Sequence, residues 1–127
     1  MRGDMSFADF LEEARNPSRP NSNAHVNYPG FQHLYVRYGK RILNREIVDG
    51  VLTIATVETK KRGKGTFKEF IRFLREKYPE LNLFVENAHP QFGEGLLRMG
   101  FTRVDDDSFH EIQSNYFMPA RNGEISL

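Results

Sequence analysis

The run Val57-Glu58-Thr59-Lys60-Lys61-Arg62-Gly63-Lys64-Gly65-Thr66 leaves an apolar, β-like segment, turns through glycines and enters a segment of helical periodicity. A strand that reaches a helix through glycine brings backbone N–H groups to a helix start, where the helix dipole favours an anion and no Cβ blocks close approach. Lys60, Lys61, Arg62 and Lys64 add charge of the matching sign. The run therefore reads as a phosphate-binding turn. A P-loop requires a glycine five residues before Gly-Lys-Ser/Thr, but Gly63-Lys64 precedes Gly65 and the position five before Gly63 is Glu58. A dinucleotide fingerprint requires a third glycine, which is absent here.

The elements around this turn follow from periodicity. Ser6-Phe7-Ala8-Asp9 has the form of a capping box, and Phe7, Phe10, Leu11 and Ala14 recur at helical spacing, predicting a helix over about 6–15. Residues 16–30 contain Pro17, Pro20 and Pro29 among asparagines and serines, and they predict a long loop. Strands are expected over 31–37 and 40–48, joined near Tyr38-Gly39-Lys40, and Asp49-Gly50 predicts a hairpin turn into a third strand over 51–57. Phe67, Phe70, Ile71 and Leu74 share one face of a helix over 66–78 that ends at Pro79. Leu81, Leu83 and Val85 alternate as a strand. A helix over 91–99, despite Gly93 and Gly95, and strands over 101–104 and 113–118 complete the chain.

Two stretches taken in order resemble the GNAT acyltransferase superfamily. Arg62-Gly63-Lys64-Gly65, with Val57 five residues before the arginine, is similar to that family's pyrophosphate-binding motif. Leu81 to Asn87, followed by Leu96-Leu97-Arg98-Met99-Gly100-Phe101, resembles its next strand ending in asparagine, the following helix and the Gly-Phe that opens another strand. The resemblance spans roughly 51–104, and the small size is similar to phage-type members. It departs at Phe67, where the motif ends on a small residue, and at Leu96, where the family often carries the tyrosine that protonates the departing thiolate.

The resemblance implies a single α+β domain over 1–127, with a GNAT-like mixed, mostly antiparallel central sheet and flanking helices. It implies acetyl-CoA as co-substrate, its pyrophosphate held by the backbone of 63–67 with Val57, Thr59, Arg62, Gly63, Lys64, Gly65, Thr66 and Phe67 around it, and Asn87 touching the pantetheine or the following helix. The acceptor is an amine, a protein lysine or N-terminus among the choices, and the loop over 16–30 would border its side of the cleft. A lysine of pKa about 10.4 is protonated at neutral pH and needs a base or water relay. Glu58, beside Val57, is the first candidate for that base, followed by Glu86 and His89 at the end of the next strand. The alternative is a binding protein on the same fold whose degenerate cleft serves a macromolecular partner.

Composition narrows the remaining classes. The 39% hydrophobic and 28% charged residues suit a globular domain, and a net charge of +1 carries no global signal for nucleic acid. Although Tyr35 and Tyr38 accompany the basic run, no stacking pattern or recognition helix is visible, and a nucleic-acid partner is not expected. With no cysteine there is no thiol nucleophile or disulfide framework. No apolar run is long enough to span a bilayer, and a cytoplasmic location is expected. Asp105-Asp106-Asp107, with His110 and Glu111, lacks calcium-loop spacing, so no metal is expected.

Overall fold

The computed structural model describes residues 5–16, 22–43, 45–61, 65–104 and 114–120. Its elements run β1 (Met5–Ser6), α1 (Phe7–Ala14), β2 (Ser22–Asn27), β3 (Phe31–Leu43), β4 (Glu46–Thr59), α2 (Thr66–Lys77), β5 (Asn82–Ala88), α3 (Pro90–Arg98), β6 (Thr102–Val104) and β7 (Ser114–Met118). The strands form a single sheet in the order β1-β2-β3-β4-β5-β7-β6. Among these neighbours β1 with β2 and β4 with β5 are parallel, while the rest are antiparallel. The fold is α+β with a mixed, mostly antiparallel sheet, as expected.

The helices form where their apolar stripes can be buried together. The Ser6 hydroxyl accepts the Asp9 N–H at 3.1 Å, capping α1, which buries Phe7, Phe10, Leu11 and Ala14. The expected stripe of α2, Phe67, Phe70, Ile71 and Leu74, is buried, and Leu96 of α3 joins the same core. Leu34, Val36, Leu52, Ile54, Leu83 and Val85 supply the sheet side of that core. The opposite face of the sheet carries a smaller cluster of Leu43, Val51 and Phe84, with no helix residue among the described contributors.

Two expectations are corrected. The stretch 16–30 is not a continuous loop: Ser22–Asn27 is a strand, paired antiparallel with β3 and, on its other edge, parallel with β1. Ala24 and Val26 pack toward the core while Asn23, His25 and Asn27 are exposed, so a half-buried alternation was present beneath the polar composition. The breaks near Tyr38-Gly39-Lys40 and at Asp49-Gly50 are not turns either. β3 and β4 are continuous through them, and the hairpin closes where Leu43 pairs with Glu46, with Arg45 at φ 67. Gly39 faces Val51 and Arg41 faces Val48, so Asp49-Gly50 opposes the single residue Lys40 as a bulge. The Lys40 ammonium meets the Asp49 carboxylate at 2.8 Å there.

Tyr28 connects these layers, its ring lying 4.8 Å from Phe70, 5.4 Å from Phe73 and 6.1 Å from Phe31. Burial raises the pKa of its hydroxyl above the ordinary 10.0. Above pH 10 the unfolded chain therefore releases this proton before the folded one, and stability falls as pH rises through the folded value. Tyr28→Phe should flatten that alkaline loss, which urea titrations at pH 9 and 11 would measure; an unchanged difference between the two would remove Tyr28 as its source.

Candidate functional site

The site originates where two parallel strands part. β4 and β5 are in register from Val51 opposite Asn82 to Ile54 opposite Val85; β4 then runs on to Thr59 and β5 to Ala88. Ala55 is bulged immediately past that last rung, since Tyr35 pairs with Thr56 and Val36 with Ile54. The resulting cleft of about 740 Å³ has Ile54 to Thr59 on one wall and Val85 to His89 on the other, with Phe67, Gln91 and Phe92 between them. A second cavity of about 830 Å³ shares Thr59, Phe67, Gln91 and Phe92 and continues past Gly65, Thr66 and Lys68 to Gly95, Arg98 and Met99. The two make one groove that leads from the strand fork to the start of α2.

Among the described residues, no side chain caps that helix start. Gly65 caps α2 in the left-handed region at φ 72, without a side-chain hydrogen bond to the first turn. Its carbonyl accepts the Glu69 N–H at 2.9 Å, which starts the helical ladder and leaves the earlier N–H groups without an intrahelical acceptor. The described lining of the second cavity carries Lys61, Lys68 and Arg98 and no carboxylate. Positive charge and a helix N-terminus that begins at glycine thus converge on one wall.

The structure brings together Val57, Glu58, Thr59, Phe67, Glu86, Asn87 and His89 in the first cavity, and Thr59, Gly65, Thr66 and Phe67 in the second. Arg62, Gly63 and Lys64 lie outside the described residues, as do Asp105 to Asp107, His110 and Glu111. Phe67, where the resemblance would place a small residue, is buried, its ring packing 4.8 Å from Phe92 at 66°. Asn87 adopts φ 51, and its N–H donates to the Asn115 side chain at 2.8 Å. Leu96, where the resemblance would place a tyrosine, is wholly buried.

The three candidate bases differ in their surroundings. Glu58 is 62% exposed and lies 3.7 Å from His33, its cross-strand partner. His89 caps α3 through backbone geometry, with no side-chain bond to the helix. Glu86 is engaged on both oxygens: Arg37 donates to them at 3.1 and 2.9 Å, and Arg41 to one at 3.2 Å. Burial works against the Arg37 charge, but attraction and hydrogen bonding to Glu86 outweigh it and raise its pKa.

Lys68, Gln91, Phe92 and Arg98 were not singled out from the sequence, although Gln91, Gly95 and Arg98 share a helix face at spacings of four and three. Gly93, which weakens the helical pattern, has a packing reason: a Cβ there would collide with the Tyr116 hydroxyl and the ring carbon bearing it. Gly93→Ala should destabilise the protein by about 1–3 kcal/mol through overpacking. Combining it with Tyr116→Leu should recover part of the loss in thermal melts. Additive effects of the two changes would refute the contact.

Among the described residues, no helix is long and apolar enough to cross a membrane, and no three His, Asp or Glu side chains gather as metal ligands. No family model matches the chain, and no curated protein matches it. Among solved structures, a chain in the crystal structure of the KacTA–DNA complex matches at 17% identity and a TM-score of 0.51, covering 91% of this chain and 79% of that one. The protein thus shares its fold with a chain of that complex.

Proposed function

We propose that this protein is a GNAT-type N-acyltransferase that moves an acetyl group from acetyl-CoA to an amine by direct attack. The observation that carries the reading is the parting of β4 and β5 after Ile54 and Val85 into a groove that leads to the start of α2 at Gly65. A long, thin cofactor with a charged phosphate end and a neutral arm suits such a groove. Lys61, Lys68, Arg98 and the first N–H groups of α2 would hold the phosphates, and the arm would pass Phe67 and Phe92 toward the strand fork. In transfer the amine lone pair forms a C–N bond to the thioester carbonyl carbon, the C–S bond breaks, and the ammonium loses its proton. Glu58 is the better base, being exposed on the cleft wall, whereas Glu86 already meets two guanidinium groups. With Leu96 apolar, the thiolate takes its proton from water. Titration calorimetry with acetyl-CoA tests the reading: one-to-one binding is expected, and absence of binding would overturn it.

A second reading, a binding protein with a catalytically degenerate cleft, is favoured by the occupied oxygens of Glu86 and the buried Leu96. It predicts acetyl-CoA binding without turnover on any amine, whereas the enzyme reading predicts that Glu58→Gln lowers kcat about 100-fold at neutral pH with little change in acetyl-CoA affinity. Stopped transfer assays with the free thiol as readout separate the two.

A further inference from the structure

We propose that Arg37 selects an acidic polypeptide segment as acceptor, by pairing with a carboxylate close to the amine that is acetylated. The proposal rests on the acyltransferase reading for the location of the amine, though not for the binding of the segment. On the helix-free face of the sheet, Arg37 of β3 and Arg41 at the far end of the same strand reach across β4 to Glu86 of β5. Arg41 is committed: it lies 3.7 Å over the Phe84 ring, donates to Thr53 at 3.4 Å and to Glu86 at 3.2 Å, and is only 25% exposed. Arg37 is 44% exposed, and both of its bonds to Glu86 leave from Nη1.

Two guanidinium groups therefore share one carboxylate, and the surplus positive charge is on the more exposed arginine. A guanidinium carries five donors in a fixed fork, and Arg37 spends Nη1 on Glu86 and a further hydrogen bond on the Tyr35 side chain, so that only part of the fork is engaged. The Tyr35 ring 5.6 Å from the guanidinium and the Glu86 carboxylate hold Arg37 before any ligand arrives, which reduces the ordering cost of a second carboxylate. Glu86 also lines the cleft just past its last rung, so this charge borders the thioester end of the groove. Glu58 and Glu86 on the cleft walls repel a polyanion, which favours separate carboxylates of a polypeptide over the phosphates of a nucleic acid.

The test uses fluorescence anisotropy with the full chain and two labelled peptides that share a central lysine, one flanked by aspartates and the other by asparagines. The acidic peptide is expected to bind about 10-fold more tightly, the worth of one charge-assisted pair. Arg37→Gln should reduce that preference to about two-fold or less, and Arg37→Lys should keep part of it because the charge remains without the fork. Equal binding of the two peptides to the wild type, or a preference that survives Arg37→Gln, would overturn the proposal. Tighter binding of a labelled single-stranded DNA than of the acidic peptide would overturn it in favour of nucleic acid, and equal binding of free aspartate in competition would overturn it in favour of a small acid. Preference for the acidic peptide in a protein that fails to bind acetyl-CoA would uphold Arg37 as the recognition residue and overturn the acyltransferase reading instead.

Discussion

Gly65→Asp is expected to weaken acetyl-CoA binding by about 100-fold or more, while Gly65→Asn stays within roughly 10-fold of the wild type, since a like charge a few ångströms from the phosphates costs several kcal/mol at an effective dielectric of about 20. The pair separates charge from shape. Gly65 sits at φ 72, a region that Asn and Asp tolerate better than other side chains, and a Cβ there meets nothing within 4 Å, so neither substitution collides with the protein. A carboxylate at the helix start also favours the α2 dipole, so Gly65→Asp should melt no lower than Gly65→Asn. Loss of binding with retained or improved stability would then come from the ligand alone. Calorimetry and thermal melts on the three proteins check this, and equal affinity for Asn and Asp would remove phosphates from the start of α2.

Phe70→Ala should produce the largest loss of stability, about 3–5 kcal/mol, against a total of about 5–15 for a domain of this kind. Phe70 is fully buried, and its ring lies 5.4 Å from Phe7, 4.8 Å from Tyr28, 5.4 Å from Phe31 and 6.5 Å from Phe67. Those rings belong to α1, the turn before β3, β3 itself and α2, so a single cavity loosens every layer on the helix side. A fall in melting temperature on the order of 10–20 °C is the corresponding readout. Phe73, only partly buried on the same helix, should cost less when truncated. If the two substitutions were equally costly, the core would not be centred on Phe70.

The sequence by itself determined the elements whose signals are local. The α1 stripe with its Ser6 cap, the α2 stripe of Phe67, Phe70, Ile71 and Leu74, and the alternation of Leu83 and Val85 all appear where periodicity places them, because burial on one face is enough to specify each. The start of α2 was legible for the same reason, as glycine at position 65 marks a helix boundary that the apolar stripe after it confirms.

Tertiary structure decided what depends on partners distant in the chain. Ser22–Asn27 is polar enough to read as loop, yet it is a strand because β1 and β3 satisfy both of its edges. Asp49-Gly50 carries a hairpin signal, yet it is a bulge because Val51 to Ile54 must remain in register with both β3 and β5. Four strands precede α2 where three were expected: β1 and β2 were not among those expected, and the three expected strands merge into the two long strands β3 and β4. Glu86 shows the same limit at the site: its place at the cleft wall follows from its strand, whereas the two arginines on its oxygens are 49 and 45 residues away in sequence and meet it only across a folded sheet. Local spacing encodes which face a residue takes, and only the pairing of strands determines what it finds there.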